Sequence, residues 1–296
     1  MVGRYTNPFR TFGGGGRFDA PLSEGIEIPA APSAAQMDRL RAIIAPLARI
    51  TQPMVIGADG VPERRVLLVG NHTTFGLLDV PFMMAELWER RGIALRGLGD
   101  HGHYKLPLWR ELLTSGGMVR GTRENVRALM RDDEPILVYP GGGGEVFKQR
   151  GEKYQLKWKE RLGFAHLAIE FGYPIVPFAG VGAEEMYDVI ADERTPGVHQ
   201  VSALMQRLVG IPAPPIPRGI GPTLLPRPER LYFWFGAPIE TAPFATSGDD
   251  GVRRLRDAVK AEVEGGIALL LAERERDPRH GLRERLLHRG DHGSNA

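Results

Sequence analysis

The chain of 296 residues contains no cysteine, which excludes disulfide bonds, cysteine nucleophiles and thiolate metal sites. Its formal net charge is only +2, so it lacks the charge of a dedicated nucleic-acid binder. No stretch approaches the roughly 20 consecutive apolar residues that a transmembrane helix requires, and the first residues lack the apolar core of a signal peptide. These absences predict a cytoplasmic protein, with peripheral contact to the inner face of a membrane left open.

Two catalytic signatures are also missing. The chain has no Gly-x-Ser-x-Gly, the sharp turn that carries a nucleophilic serine in many hydrolases. The glycine run at 141–144 is followed by glutamate, not by the lysine and hydroxyl residue of a nucleotide-binding P-loop. A covalent intermediate on serine or cysteine is therefore not expected.

Hydrophobic periodicity divides the chain into three parts. Residues 1–33 are rich in glycine and proline and have no period, which predicts a flexible N-terminal extension. Residues 34–277 alternate strand-like apolar runs with amphipathic helical segments. This pattern is typical of one α/β domain with a mostly parallel central sheet flanked by helices, here with an N-terminal helical element. Residues 278–296 are polar and charged and predict a tail without fixed structure.

The apolar pattern places the individual elements. Predicted helices lie at about 34–50, 78–91, 106–115, 123–131, 157–171 and 251–275. Predicted strands lie at 66–69, 93–98, 118–119, 135–139, 175–178 and 231–235. The proline-dense stretch 210–228 predicts an extended surface segment.

A polar pair, Asn71 and His72, directly follows the predicted strand 66–69 and Gly70. The carboxyl ends of strands are where open α/β sheets bind ligands. A histidine oriented by a carboxylate is the simplest general base near neutral pH, and Asp79 lies seven residues further on. On one ideal helix the two residues would be about 10 Å apart, so the pair requires a turn between them. The alternative is a loop in which the polar pair bonds to backbone groups and Asp79 caps a helix.

Four glycines follow the predicted strand 135–139 and precede Glu145: they are Gly141, Gly142, Gly143 and Gly144. Without side chains, their backbone N–H groups can closely approach an anion or a carbonyl oxygen. The run therefore predicts an oxyanion or phosphate cradle, with a mobile loop as the alternative.

Two further clusters carry candidate ligand residues. Arg120 and Arg123 lie near the start of a predicted helix, where arginine and the helix N-terminus attract phosphate, and Lys148 follows the glycine run. Surface arginines in a turn are an equally good interpretation. The histidine-rich segment 100–103 has residue types that bind metals, but no second cluster at metal spacing accompanies it, so no metal is expected.

Together these segments resemble the glycerolipid acyltransferase superfamily. GNHTTFGLLDVP resembles its first motif, MVRGTREN its second, and VYPGGGGEVFKQRGEKYQLKWKERLGFAHLAIEFGYPIVPF its third motif and the strand beyond. LYFWFGAPI resembles a late strand, so the resemblance covers about residues 55–240. The branch with diacylglycerol acyltransferases and plant phytyl-ester-type acyltransferases is most similar. Its pattern is carried by Pro140, Gly141, Gly142, Glu145, Tyr154, Leu156, Trp158, Lys159, Arg161, Gly163 and Phe164.

The chain departs from the family pattern at two places. The family's first motif usually has four residues between histidine and aspartate, whereas six separate His72 from Asp79 here. The third motif often carries an arginine just before the glutamate, where this chain has Gly144. If the chain binds a phosphate, Arg120, Arg123 or Lys148 would have to replace that arginine. The missing arginine favours a neutral alcohol or diacylglycerol as acceptor.

The resemblance implies a glycerol-3-phosphate acyltransferase-like fold and an O-acyltransferase that moves a fatty acyl group from acyl-CoA, or from acyl carrier protein, to the hydroxyl of a lipid-like alcohol. His72 would be the general base and Asp79 its partner, with no covalent intermediate, no metal and no cofactor beyond acyl-CoA as co-substrate. The implied substrate-binding residues are Asn71, Arg120, Arg123, Gly141, Gly142, Gly143, Gly144, Glu145 and Lys148. A catalytically silent acyl-chain or lipid-binding protein on the same fold, and a hydrolase of acyl thioesters or esters, are the alternatives.

Overall fold

The computed structural model describes residues 28–73, 78–99, 104, 107–209 and 215–287. The strands are β1 (Met54–Ile56), β2 (Leu67–Gly70), β3 (Arg96–Gly99), β4 (Val119–Arg120), β5 (Ile136–Val138), β6 (Ile175–Val181), β7 (Asp188–Ala191), β8 (Ile216–Arg218) and β9 (Tyr232–Phe235). The helices are α1 (Ala34–Thr51), α2 (Val80–Arg91), α3 (Pro107–Ser115), α4 (Arg123–Arg131), α5 (Gly143–Val146), α6 (Gly163–Phe171), α7 (Val198–Val209), α8 (Gly248–Arg276) and α9 (Leu282–Leu287). Among the helices of these residues, none is both long enough and apolar enough to span a bilayer.

Seven of the described strands form one sheet, in the order β1-β9-β6-β2-β5-β3-β4. The central strand β2 is parallel to both of its neighbours, β5 and β6, and β3 and β4 continue in the same direction. Only β9 and its parallel partner β1 run the opposite way, because β9 pairs antiparallel with β6. The predicted mostly parallel α/β sheet is confirmed, and the carboxyl ends of β2, β5 and β6 meet at one edge.

Strand β2 is buried on both faces of the sheet. Leu67 and Val69 belong to a core formed with α4, α6 and α8, whereas Val66 and Leu68 belong to a second core formed with α1 and α2. Since successive side chains of a strand point to opposite faces, the unbroken apolar run supplies both cores at once.

Local sequence signals set several helix ends. Ser33 and Gln36 form a reciprocal capping box at the start of α1. Asp79 caps α2 with its side chain, and Pro81 lies in the first turn of that helix. The hydroxyl of Thr122 accepts a hydrogen bond from the N–H of Asn125 and caps α4.

The helix predicted over 157–171 is shorter in the structure, where α6 begins only at Gly163. Tyr154 and Lys159 have φ angles of +60° and +50°, which no right-handed helix contains. The backbone of this stretch is instead held by Glu145, whose carboxylate accepts a hydrogen bond from the N–H of Lys157 at 2.8 Å. A tertiary contact therefore overrides the helical pattern.

The structure describes part of each end for which the sequence predicts flexibility, residues 28–33 and 278–287. At the N-terminal end, the buried Arg96 donates a hydrogen bond to the carbonyl of Pro29 at 2.5 Å and so fixes the residues before α1. At the C-terminal end, Arg285 of α9 is buried and donates to the carbonyls of Ile50, at 2.9 Å, and Arg279, at 3.1 Å. The same guanidinium also donates to the carbonyls of His280 and Pro228.

We expect Arg285→Ala to lower the free energy of unfolding by about 2–4 kcal/mol, because it leaves several buried carbonyls without donors. Urea denaturation measures the change. Arg283→Ala is the matched control, since Arg283 lies exposed on the same helix, and its effect should stay within about 0.5 kcal/mol. Equal effects of the two substitutions would show that the buried guanidinium does not stabilise the fold.

Candidate active site

Asn71 fixes the end of the central strand. Its side-chain amide donates to the carbonyl of Gly180 at 2.9 Å and accepts from the N–H of Gly180 at 2.8 Å. These two bonds tie the residue after β2 to neighbouring β6, and they satisfy the buried amide inside the protein. The direction in which the chain leaves β2 is thereby set immediately before His72.

The imidazole of His72 stacks on the ring of Tyr139, with ring centroids 4.1 Å apart and an interplanar angle of 21°. Tyr139 directly follows β5, so the contact joins the carboxyl ends of two adjacent parallel strands. Phe178 of β6 packs edge-on against Tyr139 with centroids 5.6 Å apart. The half-buried His72 ring therefore lies at the sheet edge where the sequence places it, on a rigid aromatic support.

Two buried charged side chains hold the backbone of His72. The carboxylate of Glu145 accepts a hydrogen bond from its N–H at 2.7 Å, and the ammonium of Lys148 donates to its carbonyl at 3.1 Å. Lys148 also forms a salt bridge with Glu184, whose other oxygen accepts from the N–H of Tyr154 at 2.7 Å. We call Glu145, Lys148 and Glu184 the His72 clamp.

All three clamp side chains are almost fully buried. Burial raises the pKa of Glu145 above its ordinary range, and the hydrogen bond from the N–H of His72 opposes that shift. Burial likewise raises the pKa of Glu184, and the charge of Lys148 opposes it. The clamp is stable because each charge has a partner, since an unpaired buried charge is very costly.

Asp79 is buried next to the same aromatic support. Its carboxylate accepts a hydrogen bond from the N–H of Val80 at 3.0 Å, and a Cβ added at Gly180 would lie 3.5 Å from its Oδ2. Burial raises the pKa of Asp79, an effect opposed by the hydroxyl of Thr73. Burial also raises the pKa of Tyr139, and the charge of Asp79 adds to that rise.

His72 stacks on Tyr139, and Asp79, at the other end of a six-residue connection, is close enough for its charge to affect the pKa of Tyr139. Residues 74–77 of that connection lie outside the described residues. Asp79 caps α2, which is the alternative role that the sequence suggests for it. Orientation of the His72 imidazole by the Asp79 carboxylate stays a prediction.

The glycine run forms a tight turn that leads into α5, not an irregular loop. The N–H of Gly142 donates to the carbonyl of Tyr139 at 3.0 Å, and that of Gly144 to the carbonyl of Gly141 at 3.2 Å. A Cβ on Gly141 would lie 2.0 Å from Cδ of Glu145, so only glycine fits beside the clamp. Within the described part of the chain, the N–H groups of Gly141 and Gly143 have no acceptor. A cradle built from them stays a prediction.

Arg120 and Arg123 lie further along the sheet. Arg120 ends β4, which is three strands from β2, a separation of roughly 14 Å at the usual strand spacing. Arg123 begins α4, and its charge contributes to the lowered pKa of Glu170, which Arg127 dominates. The histidine-rich segment 100–103 is outside the described residues, so the expectation of no metal stays untested there.

Sequence reasoning missed two residues of the site, Tyr139 and Glu184. Tyr139 stands directly after a predicted strand, so the rule that placed His72 also applies to it. Glu184 lies three residues beyond β6, at the same edge. The sequence around Glu184 gives no sign of its role, because that role depends on a salt bridge with Lys148, 36 residues away.

Residues 52–181, which include His72, Asp79 and the glycine run, match the family model described as Acyltransferase. The chain carries an acyltransferase domain. Phytyl ester synthase 2, chloroplastic, from Arabidopsis thaliana is 33% identical over 263 residues, covering 81% of this chain and 37% of the relative. Phytyl ester synthase 1, chloroplastic, is 31% identical over 258 residues, covering 79% and 36%.

The mouse relative named DGAT1/2-independent enzyme synthesizing storage lipids is 25% identical over 210 residues, covering 71% of this chain and 59% of the relative. This chain therefore spans less than two fifths of the length of the two phytyl ester synthases. Among solved structures, the 1-acyl-sn-glycerophosphate acyltransferase PlsC from Thermotoga maritima has a TM-score of 0.46 at 15% identity, covering 81% of this chain and 84% of the other.

We expect Lys148→Met to lower the free energy of unfolding by about 3–5 kcal/mol near neutral pH, because it leaves Glu184 buried without its cation. The pKa of Glu184, already raised by burial, should rise further. The folded state then holds a proton that the unfolded state releases above its ordinary pKa of about 4.3. Stability of the variant relative to the wild type should therefore fall as the pH rises from about 5 to about 8.

Urea denaturation at several pH values measures both effects. Lys148→Met combined with Glu184→Gln is the matched control, because glutamine can still accept the hydrogen bond from the N–H of Tyr154 but carries no charge. It should recover much of the stability and lose the added pH dependence. A double variant as unstable and as pH-sensitive as the single one would exclude Glu184 as the cause.

Proposed function

We propose that the protein transfers a fatty acyl group from acyl-CoA to the hydroxyl of a lipid-like alcohol, with His72 as general base. The observation that carries the proposal is the clamped histidine at the carboxyl edge of the central strand, inside the acyltransferase domain. A fixed backbone holds the imidazole in one place, and a positioned base accelerates proton transfer.

In the proposed reaction the imidazole of His72 accepts the proton of the acceptor hydroxyl while its oxygen attacks the thioester carbonyl. The tetrahedral intermediate then expels the CoA thiolate, which takes the proton back from the imidazolium. The buried carboxylate of Asp79 would orient the ring and stabilise the imidazolium. The free N–H groups of Gly141 and Gly143 are the proposed donors to the oxyanion.

The acceptor we favour carries no phosphate. Gly144 stands where related chains often have an arginine, and Arg120 lies three strands from β2. The matched relatives have names that refer to phytyl esters and storage lipids, which supports a neutral alcohol or diacylglycerol. Acyl carrier protein is the alternative acyl donor. The proposed location is the cytoplasm, with peripheral contact to a membrane.

His72→Ala should reduce acyl transfer by about 100- to 10,000-fold, because it removes the proton acceptor. The measurement is formation of labelled ester from acyl-CoA or acyl carrier protein with a panel of alcohols in detergent micelles. Arg253→Ala is the control, since Arg253 is exposed on α8, outside the candidate site, and its loss should leave turnover unchanged. Labelled donor that binds without yielding ester in the wild type would indicate a silent binding protein, and free fatty acid released without acceptor would indicate a hydrolase.

Asp79→Asn tests the proposed partner of His72. The asparagine oxygen can still accept the N–H of Val80 and cap α2, so stability should change little. If the carboxylate orients the imidazole, kcat should fall by about 100-fold or more with little change in KM. An unchanged kcat would restrict Asp79 to its capping role.

A further inference from the structure

One long excursion leaves and re-enters the sheet beside the candidate site. The chain leaves β6 at Val181 and returns in β9 at Tyr232, and these two residues are direct partners in the antiparallel pair. Because β6 is parallel to β2, both ends of the excursion lie at the sheet edge that carries His72. Residues 188–209 and 215–227 of this excursion, which contain β7, α7 and β8, are called the docking segment below.

The docking segment exposes an unusual share of aliphatic side chains. It contributes seven of the fourteen exposed large hydrophobic residues in the described part of the chain, although it has only 35 residues. Leu224 and Leu225 are 68% and 63% exposed, and Ile220 is 50% exposed. The backbone hydrogen bond from Ile220 to Leu225 places these three side chains on one turn, and exposed apolar side chains grouped in this way mark an interaction surface.

Those three side chains lie on a turn whose backbone is already hydrogen-bonded. The N–H of Gly219 donates to the carbonyl of Thr223, and the N–H of Ile220 to that of Leu225, both at 2.8 Å. The hydroxyl of Tyr187 donates to the carbonyl of Leu224 at 3.0 Å. A turn with satisfied backbone groups can enter an apolar medium at low cost, and its aliphatic side chains are held outward in advance.

The charges around the turn favour an anionic surface. The segment has four arginines against three acids, and Arg194, Arg207 and Arg218 are exposed. Two of the exposed arginines take part in ion pairs, Arg194 with Glu152 at 3.0 Å and Arg218 with Asp188 at 3.5 Å. Exposed ion pairs of this kind are weak, so anionic headgroups can compete for both guanidinium groups. Aliphatic tips beside outward arginines suit the boundary between acyl chains and anionic headgroups.

We propose that the docking segment, residues 188–209 and 215–227, docks this protein on an anionic lipid surface, with Ile220, Leu224 and Leu225 inserted among the acyl chains. Docking at this edge brings the interface to the side of the sheet where His72 lies. The choice of a lipid surface rests in part on the proposed function, which needs a lipid acceptor. Docking itself requires no catalysis and is tested without it.

The test is co-sedimentation of the full chain, in the His72→Ala background, with phosphatidylcholine vesicles that contain or lack phosphatidylglycerol. The wild-type segment should bind the anionic vesicles more tightly, and added salt should weaken binding. Leu224→Ser combined with Leu225→Ser should weaken partition at least about tenfold. Ile43→Ser combined with Leu47→Ser is the matched control, since these residues are 68% and 54% exposed on α1.

Undiminished binding of the Leu224/Leu225 variant would overturn the proposal, as would a loss of binding confined to the α1 variant. Equal binding to vesicles with and without phosphatidylglycerol would show that the arginines do not contribute to docking and would contradict the choice of an anionic surface. Leu224→Trp gives an independent readout, because its emission should shift to the blue on anionic vesicles, and an unshifted spectrum contradicts insertion. Self-association in solution that the Leu224/Leu225 substitutions abolish would assign the surface to a second copy of the chain.

Failure of docking and failure of acyl transfer give different results. If the vesicles bind as expected while the wild-type chain forms no ester in micelles, docking stands and the acyl transfer fails. If ester forms in micelles but the Leu224/Leu225 variant keeps full vesicle binding, acyl transfer stands and docking through this segment fails.

Discussion

The backbone of one residue, His72, is held from both sides by buried charge. Glu145 accepts from its N–H and Lys148 donates to its carbonyl, while the ring rests on Tyr139. These contacts bring together the ends of β2 and β5 and the turn beyond β6. Much of the nearby structure serves this arrangement, since the clamp fits only if a glycine stands at position 141 and if the stretch before α6 is not helical.

Charged clamps of this kind bring geometric precision more than stability. Replacing a buried ion pair with apolar groups is often neutral, whereas removing one partner is severe. A hydrophobic contact would tolerate small rotations of the His72 peptide, but hydrogen bonds to ionised groups weaken quickly away from their preferred geometry. An imidazole that must meet a substrate hydroxyl within hydrogen-bonding distance benefits from that restriction.

The sequence predicted the sheet, most helices and the position of His72 because those depend on local signals: the apolar run of β2, the caps Asp79 and Thr122, and Gly172 at the end of α6. It failed where distant contacts decide. The helical pattern before α6 yields to the hydrogen bond between Lys157 and Glu145. The hydrogen bond from Arg285 to the carbonyl of Ile50 joins residues 235 positions apart, so no local pattern announces it. The ion pair of Lys148 with Glu184 joins segments 36 residues apart, and no periodicity reports such a pair.

The pairing of Val181 with Tyr232 has an evolutionary consequence. Since the chain departs and comes back at facing positions of two hydrogen-bonded strands, the docking segment, which begins only after Glu184 of the clamp, can change length with little effect on the entropy of closing the loop. Homologous chains can therefore differ in the length and sequence of this segment while they keep the same sheet. Diversification of membrane preference or acceptor choice would then proceed without disturbing the residues that perform the chemistry.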